Sequence, residues 1–393
     1  MSSEKKIGVV SSFDVLCGNA AYSQALVSGM RQAGHDVMSI DIPVELQKTH
    51  NRQDITSILQ QVRDCDAINI QMELSLYGPT PRSCAKLLKR IIRNAKTLSI
   101  TMHRVEVKPV NLIKSTYQEN KQSGIFSALK QIIIYWMRSY IFRQYAAVIR
   151  AGYNAGATFI IHTYREEKRI KRICPKAKTI VHPIVWQPDM ETGTKTETAI
   201  DIKTKFKTDK PIVGLFGFIS PYKNYDFAAK SLLAHDFNLV VAGGMHPTVT
   251  NYGQRTTSAN KSLHAFAMLN EILEAYKGQT YVYTAPDDAT LIRLIRSVDV
   301  VAIPYLEVGQ SSSGIASLAI QYGKRIVFAD THLITELVPF LNKRPFVFDV
   351  AASTSLVSAV EQCLAEDEKS IYFNGYDFST NITANLHALQ IED

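Results

Sequence analysis

The stretch Lys6-Ile7-Gly8-Val9-Val10-Ser11-Ser12 reads as a buried strand, because its apolar run is continuous rather than alternating. A loop through Cys17-Gly18-Asn19 follows, and Ala21, Ala25, Leu26 and Met30 then recur at helical spacing. Gly34 stands where a helix C-cap belongs, and residues 37–40 form the next strand-like run. Strand, helix and strand make one βαβ unit, which dictates parallel pairing and a right-handed crossover.

Working outward, the alternation continues. Strand-like runs fall at 67–71, 97–102, 158–162 and 179–182, with helix-length segments between most of them. From 185 to 210 the pattern dissolves into Pro, Thr, Lys and Asp without periodicity. A second series then begins, with strands expected at 211–216, 238–242, 280–284, 298–303, 325–329 and 345–348. Helical patterns at 263–276, 289–297 and 313–322 separate several of these. The expected class is α/β: two Rossmann-like domains, 1–185 and 211–375, joined by a linker at 186–210, with parallel sheets facing across a cleft. The tail, 376–393, is expected to pack back on the N-terminal domain.

Composition narrows the class of function. With 393 residues, 46% hydrophobic and 20% charged, the chain has ample material for buried cores, which excludes a disordered or fibrous protein. Forty-four basic against 36 acidic residues leave a net charge of +8, which suits a polyanionic partner: nucleic acid, anionic lipid or a phosphorylated ligand. No zinc-finger spacing, RNP-type aromatic string or Gly-x-x-Gly clamp occurs, so no nucleic-acid partner is expected. Five scattered cysteines without a C-x-x-C pair speak against a disulfide framework or zinc site and for a reducing compartment. No apolar run approaches the ~18 residues of a membrane span, and Met1 to Lys6 lacks a signal-peptide core. A cytoplasmic protein is expected.

Three places can carry chemistry. Phe216-Gly217-Phe218-Ile219-Ser220-Pro221-Tyr222-Lys223 directly follows the first strand of the second series. Gly217 lets a ligand approach the backbone, and Lys223 brings an ammonium beside a helix start; both suit a diphosphate. A plain βα turn with a surface lysine reads equally well. Gln310-Ser311-Ser312-Ser313-Gly314 opens an Ala-rich helix and offers hydroxyl and N–H donors to an anion. An ordinary N-cap needs only one such serine. In the first domain, His103 and Gln71-Met72-Glu73 stand just past strands, where α/β site residues belong. Asp64-x-Asp66 precedes a strand, at the wrong end for a site, and no metal is expected.

In their order, these pieces resemble a GT-B glycosyltransferase of the family-4-like retaining group, over nearly the whole chain. Gly18-Asn19-Ala20-Ala21-Tyr22-Ser23 resembles that group's first-loop G-I-A-x-Y-S/T. Ile70-Gln71-Met72-Glu73-Leu74-Ser75-Leu76-Tyr77-Gly78 resembles the I-Q-H-E-x-G-L-F-G of one branch, and Thr101-Met102-His103 its T-L-H. The Gly217 to Lys223 loop, Ala242-Gly243-Gly244-Met245-His246-Pro247, and Ser312-Ser313-Gly314 followed by Gly323-Lys324 keep the branch's order. The chain departs from the wider group's Glu-x7-Glu, whose positions are Gln310 and Leu318 here. Phe218 also stands where many members have an arginine.

The resemblance implies sugar transfer with retention from a nucleotide-diphosphate sugar to a glycan or lipid-linked acceptor, in bacterial surface polysaccharide or glycolipid synthesis. It requires no cofactor and no metal. It implies catalytic roles for His103, Lys223 and Gln310. It places Gly18, Asn19, Gly217, Phe218, Tyr222, Ser311, Ser312, Ser313 and Gly314 on the donor, and Glu73 and Tyr77 on the acceptor side. The alternative is an inactive GT-B module that binds a sugar nucleotide or scaffolds an assembly complex. Finally, 114–150 holds six basic residues, with Phe126, Ile132, Ile133, Ile134, Tyr135, Trp136, Tyr140, Ile141, Phe142 and Tyr145 among them, and Glu119 as its sole acid. Such a helix either lies on the inner face of an anionic membrane or packs its apolar side onto the first sheet.

Overall fold

The computed structural model describes residues 5–13, 18–49, 51–109, 125–187, 202–206, 209–245, 257–309 and 312–391. They form two parallel six-stranded sheets in an α/β arrangement, the fold class expected from the alternation of patterns. The chain divides into two units. One comprises Met1–Val15, Val27–Val181 and Ile382–Asp393; the other comprises Leu16–Leu26 and His182–Asn381. Residues 188–201 of the expected linker lie outside the described residues.

The sheet of the first unit contains β1 (Ile7–Ser11), β2 (Val37–Asp41), β3 (Ala67–Met72), β4 (Thr97–Met102), β5 (Thr158–Ile161) and β6 (Lys178–Val181), in the order β2-β1-β3-β4-β5-β6. Its helices are α1 (Gly18–Gln32), whose first half groups with the second unit, α2 (Arg52–Arg63), α3 (Pro81–Asn94), α4 (Ile125–Asn154) and α5 (Tyr164–Ile173). Ile68, Ile70, Met72, Ile100 and Met102 send one face of β3 and β4 into an apolar core with Leu87, Leu88, Ile91 and Ile92 of α3 and Val148 and Ile149 of α4. Helix α3 starts where Thr80 and Ser83 cap each other and Pro81 occupies the first turn.

The second unit holds β7 (Ile212–Phe216), β8 (Asn238–Gly243), β9 (Thr280–Thr284), β10 (Val300–Ile303), β11 (Ile326–Ala329) and β12 (Phe346–Phe348), ordered β12-β11-β10-β7-β8-β9. Strand β10 begins at Val300 rather than 298, because the Asp299 carboxylate accepts from the Ile212 N–H and replaces a ladder bond. The helices are α6 (Tyr225–Leu233), α7 (Thr257–Ala275), α8 (Asp288–Ser297), α9 (Gly314–Tyr322), α10 (His332–Leu337), α11 (Ser353–Leu364) and the start of α12 (Phe378–Ala388). Strand order reverses direction at β7 and β10, so the loops after these two strands flank the crevice where such sheets bind ligands. In the first unit the reversal falls at β1 and β3.

Candidate functional site

In the second unit the decisive loop follows β7. Gly217 adopts φ +95°, and a Cβ there would stand 2.6 Å from Lys223 Nζ and 2.7 Å from Ile315 Cγ1. Only glycine suits both the backbone angle and that space. The loop is held from β8: Gly217 N donates to the Ala242 carbonyl at 2.8 Å and Ile219 N to that of Gly244 at 2.8 Å. A single 3-10 turn, Pro221–Lys223, then carries the lysine inward, and Asn224 in the left-handed region starts α6.

Lys223 is not the surface lysine of a plain turn. It is buried, only 5% exposed. Its Nζ lies 5.8 Å from the Tyr225 ring centre and 5.4 Å from that of Tyr305, and Tyr222 packs edge-on against Tyr305. The tyrosines are themselves fixed: Tyr225 donates its hydroxyl to the Phe216 carbonyl, and the Tyr222 carbonyl accepts from Leu306 N at 2.7 Å. Ring faces attract a cation but replace its water poorly. Burial accordingly pushes the ammonium down to about 7 from its usual 10.5. An anion beside its Nζ would offset that cost.

Across the crevice, the loop after β10 is clamped by Glu307, whose carboxylate accepts from Gly309 N at 2.6 Å and His332 N at 2.7 Å. Gln310 and Ser311 lie outside the described residues. Ser313 is the N-cap of α9 and accepts from Ala316 N at 3.3 Å, so its hydroxyl serves the helix. Ser312 and Gly314, and Phe218 in the loop after β7, are partly exposed. The α9 start is also braced from behind, where Ser317 donates to the Ile184 carbonyl. Leu318 is 1% exposed and belongs to the core. Gly18 and Asn19 open α1 and group with this unit. Both side-chain amide atoms of Asn19 are buried with no hydrogen-bond partner among the described residues, an expensive arrangement unless a ligand supplies one.

The first unit brings a second set to the carboxyl edge of its sheet. His103 Nε2 meets Gln71 Oε1 at 2.7 Å, and its ring lies 5.6 Å from that of His162. Burial, helped by His162, pushes His103 down to about 3, so the ring is neutral at ordinary pH. It can hold a hydroxyl but carries no charge to a diphosphate. Half-buried Glu73 accepts from Ser75 Oγ at 3.2 Å, and burial raises its pKa above the usual carboxylate range. Tyr77, expected on the acceptor side, lies in the core of this unit. It is 0% exposed, and its hydroxyl donates to the Gln71 carbonyl at 2.8 Å, which ties the loop to β3. Asp66 holds Lys96 at 2.8 Å and the Lys6 N–H at 3.1 Å, a strand-edge tie. Among the described residues no group of three His, Cys, Asp or Glu is placed to hold a metal ion.

Helix α4 splits in character. Tyr145, Ala146, Val148 and Ile149 are buried, whereas Leu129, Ile133, Trp136, Met137 and Tyr140 are exposed, Trp136 by 59%. These residues recur at three- and four-residue steps and share one face, with exposed Ile134 to its side. Packing onto the sheet therefore accounts for the second half of the helix only. Lys114 and Lys121 lie outside the described residues. No described helix is long and apolar enough to cross a membrane.

Tyr225, Tyr305 and His162 were not singled out as site residues by the sequence, whereas Gln71 was. Each gains its place from partners on another strand or loop, and only the strand-end position of Tyr305 and Gln71 was a readable signal. No protein-family model matches the chain, and no curated protein matches it in sequence. Solved structures do. The HepE protein of Anabaena, crystallised in complex with UDP-glucose, superposes with a TM-score of 0.58 at 12% identity, covering 98% of this chain and 93% of that one. Sucrose-phosphate synthase from Thermosynechococcus elongatus gives 0.56 at 12% identity over 99% and 95%. A glycosyltransferase from Rickettsia africae gives 0.57 at 12% identity over 99% and 94%. The fold is that of GT-B glycosyltransferases.

Proposed function

We propose that this GT-B chain is a glycosyltransferase that moves a sugar, with retention, from a nucleotide-diphosphate donor to a glycan or lipid-linked acceptor. The second unit is then the donor domain and the first the acceptor side. The observation that carries this reading is Lys223: a buried amine in an aromatic surround, at the switch point of a Rossmann-ordered sheet, with no carboxylate paired to it among the described residues. Anabaena HepE, of the same fold, was crystallised in complex with UDP-glucose, which supports a sugar nucleotide as the ligand. As the donor's glycosidic bond breaks, charge gathers on the leaving diphosphate. Lys223 and the N–H groups of the Gly217 loop and the α9 start stabilise that charge where water is excluded. In this reading a lysine does the work of a metal ion. His103, neutral, holds a donor-sugar hydroxyl; Asn19 supplies amide contacts, and Glu73 serves the acceptor. Gln310, Ser311 and Ser312 complete the donor side.

A second reading is a sugar-nucleotide-binding module without turnover, and Leu318 favours it: an apolar core residue fills the position of a ribose-binding carboxylate in the resembled group. Incubation with a panel of nucleotide sugars separates the two. Transfer activity predicts slow release of nucleoside diphosphate from one of them even without acceptor; tight binding with no release would select the module.

The exposed face of α4 fits an anionic bilayer. Between 120 and 165 the sequence holds no acid, and Arg138 and Arg143 are exposed on the same helix. Each cation near such a surface contributes ~1 kcal/mol, and the apolar face supplies the remainder. Such docking places the protein peripherally on the inner face of a membrane, within reach of a lipid-linked acceptor. The protein should co-sediment with anionic vesicles at low salt and leave them at high salt, and Arg138→Glu/Arg143→Glu should not bind. Equal partitioning of both proteins, or none by either, would make the face unrelated to membranes.

A further inference from the structure

Strands β3 and β4 run side by side with Asn69 opposite Ser99 and Gln71 opposite Thr101. Alternate residues share a face, so these four line one side of the pair. All four are 0% exposed, as is Asn385 of α12. The other side of the same strands is Ile68, Ile70, Met72, Ile100 and Met102. A buried sheet face of amides and hydroxyls costs desolvation that an apolar face avoids, so it persists only where its groups satisfy one another.

They do so in one line. Asn69 Nδ2 donates to Ser99 Oγ at 2.8 Å and Thr101 Oγ1 at 3.1 Å, with Asn385 Oδ1 at 3.4 Å. Asn69 Oδ1 accepts from Gln71 Nε2 at 2.5 Å. That bond turns the Gln71 amide so that its Oε1 faces His103 Nε2 at 2.7 Å. An amide oxygen only accepts, so the facing ring nitrogen carries the proton. The backbone of Gln71 is pinned too, through its carbonyl and the Tyr77 hydroxyl.

We infer that Gln71 is the positioning residue of this site: anchored by Asn69, it fixes the His103 ring in the Nε2–H tautomer and leaves Nδ1 as the acceptor nitrogen. A histidine held this way presents one defined hydrogen-bonding pattern to a sugar hydroxyl rather than an average of two. The functional consequence rests on the proposed glycosyl transfer; the tautomer does not.

The test uses the full-length protein labelled with ¹⁵N-histidine, its His103 signals assigned by their loss in His103→Gln. The expected spectrum shows the proton on Nε2 in the wild type and a tautomeric average in Gln71→Leu. A proton on Nδ1, or a His103 pattern unchanged in Gln71→Leu, overturns the inference. Should Gln71→Leu not fold, the wild-type spectrum alone decides. In kinetics, Gln71→Leu is expected to lower kcat about 10- to 100-fold with nucleoside diphosphate affinity unchanged, and to cost nothing further in a His103→Ala background. An equal loss in both backgrounds would mean that Gln71 does not act through His103. If no sugar nucleotide is consumed while the Nε2 spectrum holds, the proposed transfer fails and the tautomer lock stands.

Discussion

Replacing Lys223 with methionine is expected to weaken donor binding on the order of 100-fold while making the protein more stable. The two effects share one cause. Lys223 is buried against Tyr225 and Tyr305 with its pKa depressed to about 7, so the fold bears the cost of a desolvated ammonium until an anion arrives. Methionine fills a similar volume without that cost, for a gain of about 1–3 kcal/mol. At about 2–4 °C per kcal/mol for a unit of this size, melting should rise by several degrees. Lys223→Ala is the poorer experiment, because at a buried position it also opens a cavity. The pH dependence follows. Between the folded value of about 7 and the ordinary 10.5 the unfolded chain binds more protons, so stability of the ligand-free protein falls as pH drops through that window and levels off below 7. A diphosphate raises the lysine's pKa, so binding takes up a proton, and sugar-nucleotide affinity should fall as pH rises above 7. Both slopes should vanish in Lys223→Met. Calorimetry in buffers of different ionisation enthalpy, with thermal melts across the same pH range, measures all of this.

Gly243→Ala is expected to be severe and Gly244→Ala nearly silent, although the two glycines are adjacent. A Cβ at 243 would stand 2.2 Å from the Gly217 carbonyl oxygen, a backbone atom, so the β7 loop must move. That movement breaks the bonds from Gly217 N to Ala242 and from Ile219 N to Gly244, which hold the loop to β8. Losses of about 3 kcal/mol or more are expected, with Lys223 displaced along with the loop. At 244 the nearest atom to an added Cβ is Ala285 Cβ at 3.5 Å, an ordinary contact. Thermal melts and nucleoside diphosphate titrations of the two variants check the contrast; equal behaviour would show that the loop is not held as described.

The alternation of strands and helices was legible because parallel strands buried on both faces are uninterrupted apolar runs, and strand ends such as Gly217 and His103 could be placed from them. What surrounds those residues was not legible. Lys223 looked exposed, since its burial depends on Tyr305, which sits on the neighbouring strand's loop. Tyr77 looked like a loop residue facing a ligand, whereas its hydroxyl reaches a carbonyl of its own sheet. The string from Asn69 to His103 follows from the register of β3 on β4, which no single segment encodes. In α4, apolar residues recur through both halves, and only packing separates Ile149 in the core from Ile133 on the surface.

The proposed transfer turns on a donor diphosphate held by Lys223, between the Gly217 loop and the start of α9. A crystal structure with a bound sugar nucleotide tests it most directly. The expected result is a diphosphate oxygen about 2.7–3.2 Å from Lys223 Nζ, with backbone N–H groups of the Gly217 loop or the α9 start on the same phosphates. A nucleotide sugar bound elsewhere, with Lys223 still enclosed by Tyr225 and Tyr305 and touching no phosphate, would contradict it.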